Sequence, residues 1–113
     1  MIEITILNHL RQSLSVPVYM EEPKKPPESY VLIEKTAGSN KNHILSATLA
    51  IQSYAGTLYG AAKLNEDVKA AMEQSIAISN VSKAALNSDY NFTDTSTKRY
   101  RYQAVYNMTY MEV

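Results

Sequence analysis

"YRYQAVYNMTY", residues 100–110, decides how this chain folds. Sorted by parity, Tyr100, Tyr102, Ala104, Tyr106, Met108 and Tyr110 share one side, while Arg101, Gln103, Val105, Asn107 and Thr109 share the other. Period-two alternation of this kind marks a strand with one apolar and one polar face. Residues 99–111 are therefore expected to form the last and longest strand. A tyrosine buries a large ring, but its hydroxyl needs a partner. Tyr100, Tyr102 and Tyr106 are accordingly expected at a core margin or subunit interface, with Tyr102 and Tyr106 largely buried. A base-stacking platform fits less well, because RNA-recognition strands set small residues between their aromatics, where Arg99 and Arg101 stand here.

Upstream, Leu45, Ala47, Leu49 and Ile51 alternate with Ser46, Thr48, Ala50 and Gln52, the pattern of a half-buried antiparallel partner. Tyr30–Thr36 is a β-branched strand, and "AGSNKNH" supplies turn residues between the two. The pair reads as a long hairpin, expected to project from the body with a polar tip of Ser39, Asn40, Lys41, Asn42 and His43. Ile2, Ile6, Leu10 and Leu14 recur at fours and predict a helix over 2–13. A second helix is expected over 57–76, capped by Thr57, with Lys69 and Glu73 paired on its wet face. Val16–Met20 reads as a weak edge strand because Pro17 lacks a ladder N–H. "EEPKKPPESY" is a proline-stiffened connector, "ISNVSKAALN" a modest strand, and "SDYNFTDTSTK" a polar loop. The order α-β-β-β-α-β-β predicts one α+β domain over 1–113: a single layer of mainly antiparallel sheet with two helices on one face.

The chain has 113 residues, enough to bury roughly 65% of its unfolded surface. Eleven basic residues balance eleven acidic ones, so no whole-molecule field draws in polyanions or anionic lipid. Without cysteine there is no disulfide frame, thiolate nucleophile or thiolate metal site. No apolar run nears the ~18 residues that span a bilayer, and the start lacks a basic lead, so a soluble protein without a cleaved export signal is expected.

Catalytic patterns are missing from the sequence. His9 and His43 sit in no nucleophile–base or metal spacing, and the adjacent carboxylates Glu21–Glu22 and Glu66–Asp67 point in different directions. "AGSNKN" has too few glycines for a phosphate loop. Gly56, in "GTLYG", is expected to let the chain bend into the second helix. The expectation is a protein that is not an enzyme, with no cofactor and no metal.

Taken in order, "VPVYMEEPKKPPESYVLIEKTAG", "LSATLAIQSYAG", "AAKLNEDVKAAM" and "SDYNFTDTSTKRYRYQAVYNMTY" resemble the tail-terminator, or tail-completion, proteins of long-tailed bacteriophages and prophages. The likeness runs from about Val16 to Tyr110. It is sharpest at Pro26-Pro27, at "TLAIQSYA" (48–55) and at "RYQA" (101–104). Tyr54 stands where tryptophan is frequent in that family, Ala37-Gly38 where two glycines often occur, and Thr93 and Thr95 where prolines are common.

The resemblance implies a structural virion protein, assembled in the host cytoplasm, that closes into a ring, typically a hexamer. Its partners would be copies of itself, the tail-tube protein and the head connector. DNA would pass through the ring without being read, and no membrane would be involved. A head-closure or adaptor role nearer the portal is the neighbouring alternative. From a different class, a nucleic-acid module would rely on Lys41, Lys98, Arg99 and Arg101, and a ligand-binding module on a pocket between helices and sheet.

Overall fold

Apolar residues at threes and fours build the two helices, and β-branched and aromatic alternation builds the sheet. The computed structural model describes residues 1–112. Helix α1 (Ile2–Ser13) buries Ile2, Ile6, Leu7 and Leu10. It leads into the two-residue strand β1 (Val18–Tyr19), which pairs in parallel with β2 (Tyr30–Lys41) at Val31 and Leu32. Pro17 lies just outside this ladder, where only its carbonyl is used, accepting from the Val31 N–H at 2.9 Å.

Strand β3 (Ile44–Ala55) returns antiparallel to β2, and α2 (Leu58–Glu73) follows. The Thr57 hydroxyl caps α2 by accepting from the Gly60 N–H at 3.0 Å. One 3-10 turn, Gln74–Ala77, then leads to β4 (Val81–Asn91), and β5 (Tyr100–Tyr110) follows. The spatial order is β1-β2-β3-β5-β4. Both β3 and β4 run antiparallel to β5, so the last strand slots between two parallel strands joined by the α2 crossover. The α+β class and the order α-β-β-β-α-β-β are as the alternation predicts.

The parity of β5 decides the layering. Tyr106, Met108 and Tyr110 oppose Leu49, Ala47 and Leu45 across the β3 ladder, and all belong to or line the core under the helices. From above, α1 adds Ile2, Ile6 and Leu10, and α2 adds Leu64, Val68 and Met72. The helices are tied together by His9, whose Nε2 lies 2.7 Å from the Ala71 carbonyl. Burial pushes the Tyr106 hydroxyl up to about 12. Tyr100 and Tyr102 share this face but reach its margin, where they are only half-buried, less than expected for Tyr102.

Several boundaries move. Gly38, Ser39, Asn40 and Lys41 are paired strand residues rather than turn, because the hairpin closes in two residues, Asn42 and His43, with φ of 54° and 67°. Positive φ at both central positions has the right twist for a tight hairpin. The hairpin does not stand clear of the body: β5 accompanies β3 to the pair Leu45–Tyr110, leaving little more than the turn beyond the sheet. Ser88–Asn91 lie in β4 rather than in a loop, since Tyr90 continues the alternation across from Gln103. Helix α2 stops at Glu73, so Ile76 leaves the apolar stripe and is 61% exposed. Lys69 bonds Glu66 and Asp89 rather than Glu73. Gly56 has no positive φ, so its bend does not require glycine, and a Cβ there would lie 2.4 Å from the carboxylate end of the flexible Glu28 side chain, which would have to move aside.

His43 holds a left-handed conformation that costs an L-residue about 1 kcal/mol and glycine almost nothing. His43→Gly should therefore raise the unfolding free energy by about 0.5–1 kcal/mol. Chemical denaturation checks this; a fall in the midpoint would mean that His43 makes a contact the turn geometry does not require.

Candidate functional site

The sheet face turned away from the helices divides in two along the strands. At the end where β2 and β5 begin, it carries an aromatic and arginine cluster. Tyr30 and Tyr54 stack with ring centres 4.5 Å apart and planes within 4°, and Tyr19 meets Tyr30 edge-on at 6.0 Å. Arg99 lies over the Tyr54 ring at 4.9 Å, and Arg101 lies over Phe92 at 4.3 Å, both within cation–π range. Tyr90 closes the edge against Phe92.

Beneath the rings runs a buried polar chain. The Arg101 guanidinium donates to the Tyr54 hydroxyl at 2.8 Å, which donates to Gln52 Oε1 at 3.0 Å. Gln52 Nε2 in turn donates to Gln103 Oε1 at 2.9 Å, and Gln103 Nε2 reaches the Tyr90 hydroxyl. Gln52 and Gln103 sit directly opposite each other on β3 and β5 and are each less than a tenth exposed. Both amides are thus satisfied by one another and by tyrosine hydroxyls, as buried polar groups must be.

Glu22 fastens the proline connector to this cluster. Its carboxylate accepts from the Tyr30 hydroxyl at 2.6 Å and from Arg99. The Arg99 bond, then the Tyr30 bond, hold the Glu22 carboxyl below its ordinary value of 4.5. Burial, then the bond to Glu22, pushes the Tyr30 hydroxyl far up. Pro26, Pro27 and Glu28 complete a small cleft against Tyr30, Tyr54 and Lys98. The cluster is thus a clamp locking connector to sheet.

The other end of the same face is bare. Ala37, Ser39, Ser46, Thr48, Asn107 and Thr109 line a shallow depression there, crossed by a Thr48–Asn107 bond of 3.1 Å. Beyond Leu32 the outer edge of β2 has no strand partner among the described residues, nor has the outer edge of β4. Bulges interrupt β4 twice and β2 once, leaving Ala37–Lys41 as the longest regular stretch of open edge.

The expected site residues fall in two groups. Ser39, Asn40, Lys41, Asn42 and His43 are exposed at the hairpin end. Tyr100 and Tyr102 lie at the opposite end, across from Ala55 and Ser53, about 30 Å away by strand rise. Tyr106 is in the core. Lys41 is likewise a strand's length from Lys98, Arg99 and Arg101, and the two arginines are occupied by the clamp, so these charges form no continuous basic patch. Sequence reasoning missed the clamp residues Glu22, Tyr54, Gln52 and Tyr90. The signal available was that Gln52, Tyr54, Arg101 and Gln103 share the polar parity of two neighbouring strands.

Among the described residues no His, Asp and Glu grouping would hold a metal, and no helix is long and apolar enough to cross a membrane. No family model matches the chain, and no curated protein matches it.

A depressed carboxyl stabilises the fold above its unfolded value and loses that contribution as pH falls through the folded value. Wild-type protein should therefore unfold at a higher temperature than Glu22→Gln at neutral pH. The difference should shrink as pH drops below 4.5, the range in which Glu22 protonates. Melting curves of both proteins across that range check it; a difference independent of pH would show that the carboxylate charge does not hold the clamp.

Proposed function

We infer that this protein is a subunit of a ring that closes the end of a bacteriophage tail tube and joins it to the head. The reading starts from the resemblance over Val16–Tyr110 to tail-terminator proteins. The observation that carries it further is the bare half of the sheet face running out to the unpaired Ala37–Lys41 edge. A ring subunit must meet unlike surfaces on its two neighbours as well as tube and connector, so it needs several separate contact areas. The clamp serves that role by holding the "KKPP" connector in a fixed position without consuming the bare face.

In this reading the ring is a hexamer and has no catalytic role. One ring face meets the tail-tube protein, the other meets the head connector, and DNA passes through the lumen. Localisation is the virion, at the head–tail junction. A head-closure adaptor would use the same kinds of surface; the presence of tail-tube and tape-measure genes beside this one would separate the terminator from it.

Deleting the gene from its phage or prophage should give tails that fail to stop at one length and do not join heads, with wild-type protein restoring both. A chain lacking Ser39–Asn42 loses no buried side chain. It should fold but restore joining poorly. Electron microscopy of lysates reads both results; normal virions from the deletion strain would contradict the function, and full rescue by the shortened chain would remove the hairpin end from the joining surface.

A further inference from the structure

On the helix side, α2 and the β4–β5 pair leave a groove lined by Tyr59, Ala62, Lys63, Asn65, Glu66, Asp89 and Tyr102. Its floor holds a polar group without a partner. Asn65 is 1% exposed, and its Nδ2 donates to Asp89 Oδ1 at 2.6 Å. That bond fixes the amide, because the opposite orientation would set two acceptor oxygens against each other. Asn65 Oδ1 is thereby left buried with no hydrogen bond. A buried acceptor of this kind calls for a donor.

The walls specify what sort. Two carboxylates, Glu66 and Asp89, and one ammonium group, Lys63, line it, and their ion-pair partners Asp67 and Lys69 add one charge of each sign, so an excess of one negative charge favours a further positive one. Bonds to Asp89, then to Glu66, already raise the Lys69 ammonium above its ordinary value. Tyr59, 79% exposed, and Tyr102, half-buried, add ring faces suited to a cation. An anion would meet carboxylates, and a water would gain nothing from the rings.

Basic side chains of matching availability lie in the connector between β1 and β2, the strands at the sheet edge opposite β4. Lys24 and Lys25 are exposed and, among the described residues, have no ion pair. Prolines at 23, 26 and 27 and the Glu22 clamp restrict their backbone, lowering the ordering cost of docking. Groove and lysine pair belong to opposite sheet edges, the arrangement a head-to-tail contact between copies requires.

We propose that the groove accepts an ammonium group of the Lys24–Lys25 pair from a second copy of this chain, held by the carboxylates of Glu66 and Asp89 beside the unpartnered Asn65 Oδ1. The contact rests on the ring reading and supplies its subunit-to-subunit specificity.

The test compares self-association of full-length chains by sedimentation, alone and on purified tail tubes, at low and high salt. All substituted side chains are solvent-exposed. The double variant Lys24→Glu/Lys25→Glu should associate at least tenfold more weakly, and Tyr59→Ala several-fold more weakly. Wild-type association should fall with salt. Adding Glu66→Lys to the double variant should recover a large part of the loss. Unchanged association of the lysine double variant would overturn the contact while leaving the ring intact. Wild-type protein that stays monomeric even on tail tubes would overturn both the ring and the contact.

Discussion

Everything in this fold depends on the insertion of β5 between β3 and β4. The strand follows the others in chain order, yet it is paired with β3 from Tyr100 to Tyr110 and with β4 from Tyr102 to Tyr110. A strand in that position must satisfy two unlike faces. Its even positions bury Ala104, Tyr106 and Met108 beneath the helices, while its odd positions place Arg101 and Gln103 against Tyr54 and Gln52. A one-residue slip would exchange those sets, setting a guanidinium in the core and exposing a row of tyrosines. The ladder with β3 is therefore specified from both faces at once.

The same insertion explains how the surface is divided. Because α2 must cross from β3 to β4 above β5, both helices lie on one side, and the opposite face has only the proline connector to cover it. The connector is short and reaches the Tyr30–Tyr54 end alone, anchored through Glu22 to Arg99. The remaining half stays open, and its side chains are small and uncharged, apart from Lys83 at the β4 edge. The bare surface thus follows from the topology rather than from any single sequence motif.

Much of the fold was legible in the sequence because the deciding signals are periodic. The four-residue spacing of Ile2, Ile6 and Leu10, the alternation of Leu45–Gln52 and the parity of the tyrosines each report which face is buried. What escaped were features set by pairing rather than by period. Gly38–Lys41 read as turn residues, but β3 supplies them with partners and pulls them into the sheet. The bulge between Leu86 and Ser88 breaks the β4 alternation, hiding the strand's second half. The clamp was invisible because Glu22, Tyr54 and Arg99 are far apart in the chain and meet only once the sheet forms. Asn65, in the middle of an apolar helix stripe, was the one local irregularity pointing to the groove.

The central claim is that copies of this domain close head-to-tail into a ring. Mass measurement by light scattering, with negative-stain images of the same sample across a range of protein concentrations and with tail tubes added, tests it most directly. The account predicts closed rings of a single size, formed in solution or on the tube end. Protein that remains monomeric under all of these conditions, or forms open chains without closure, would contradict it.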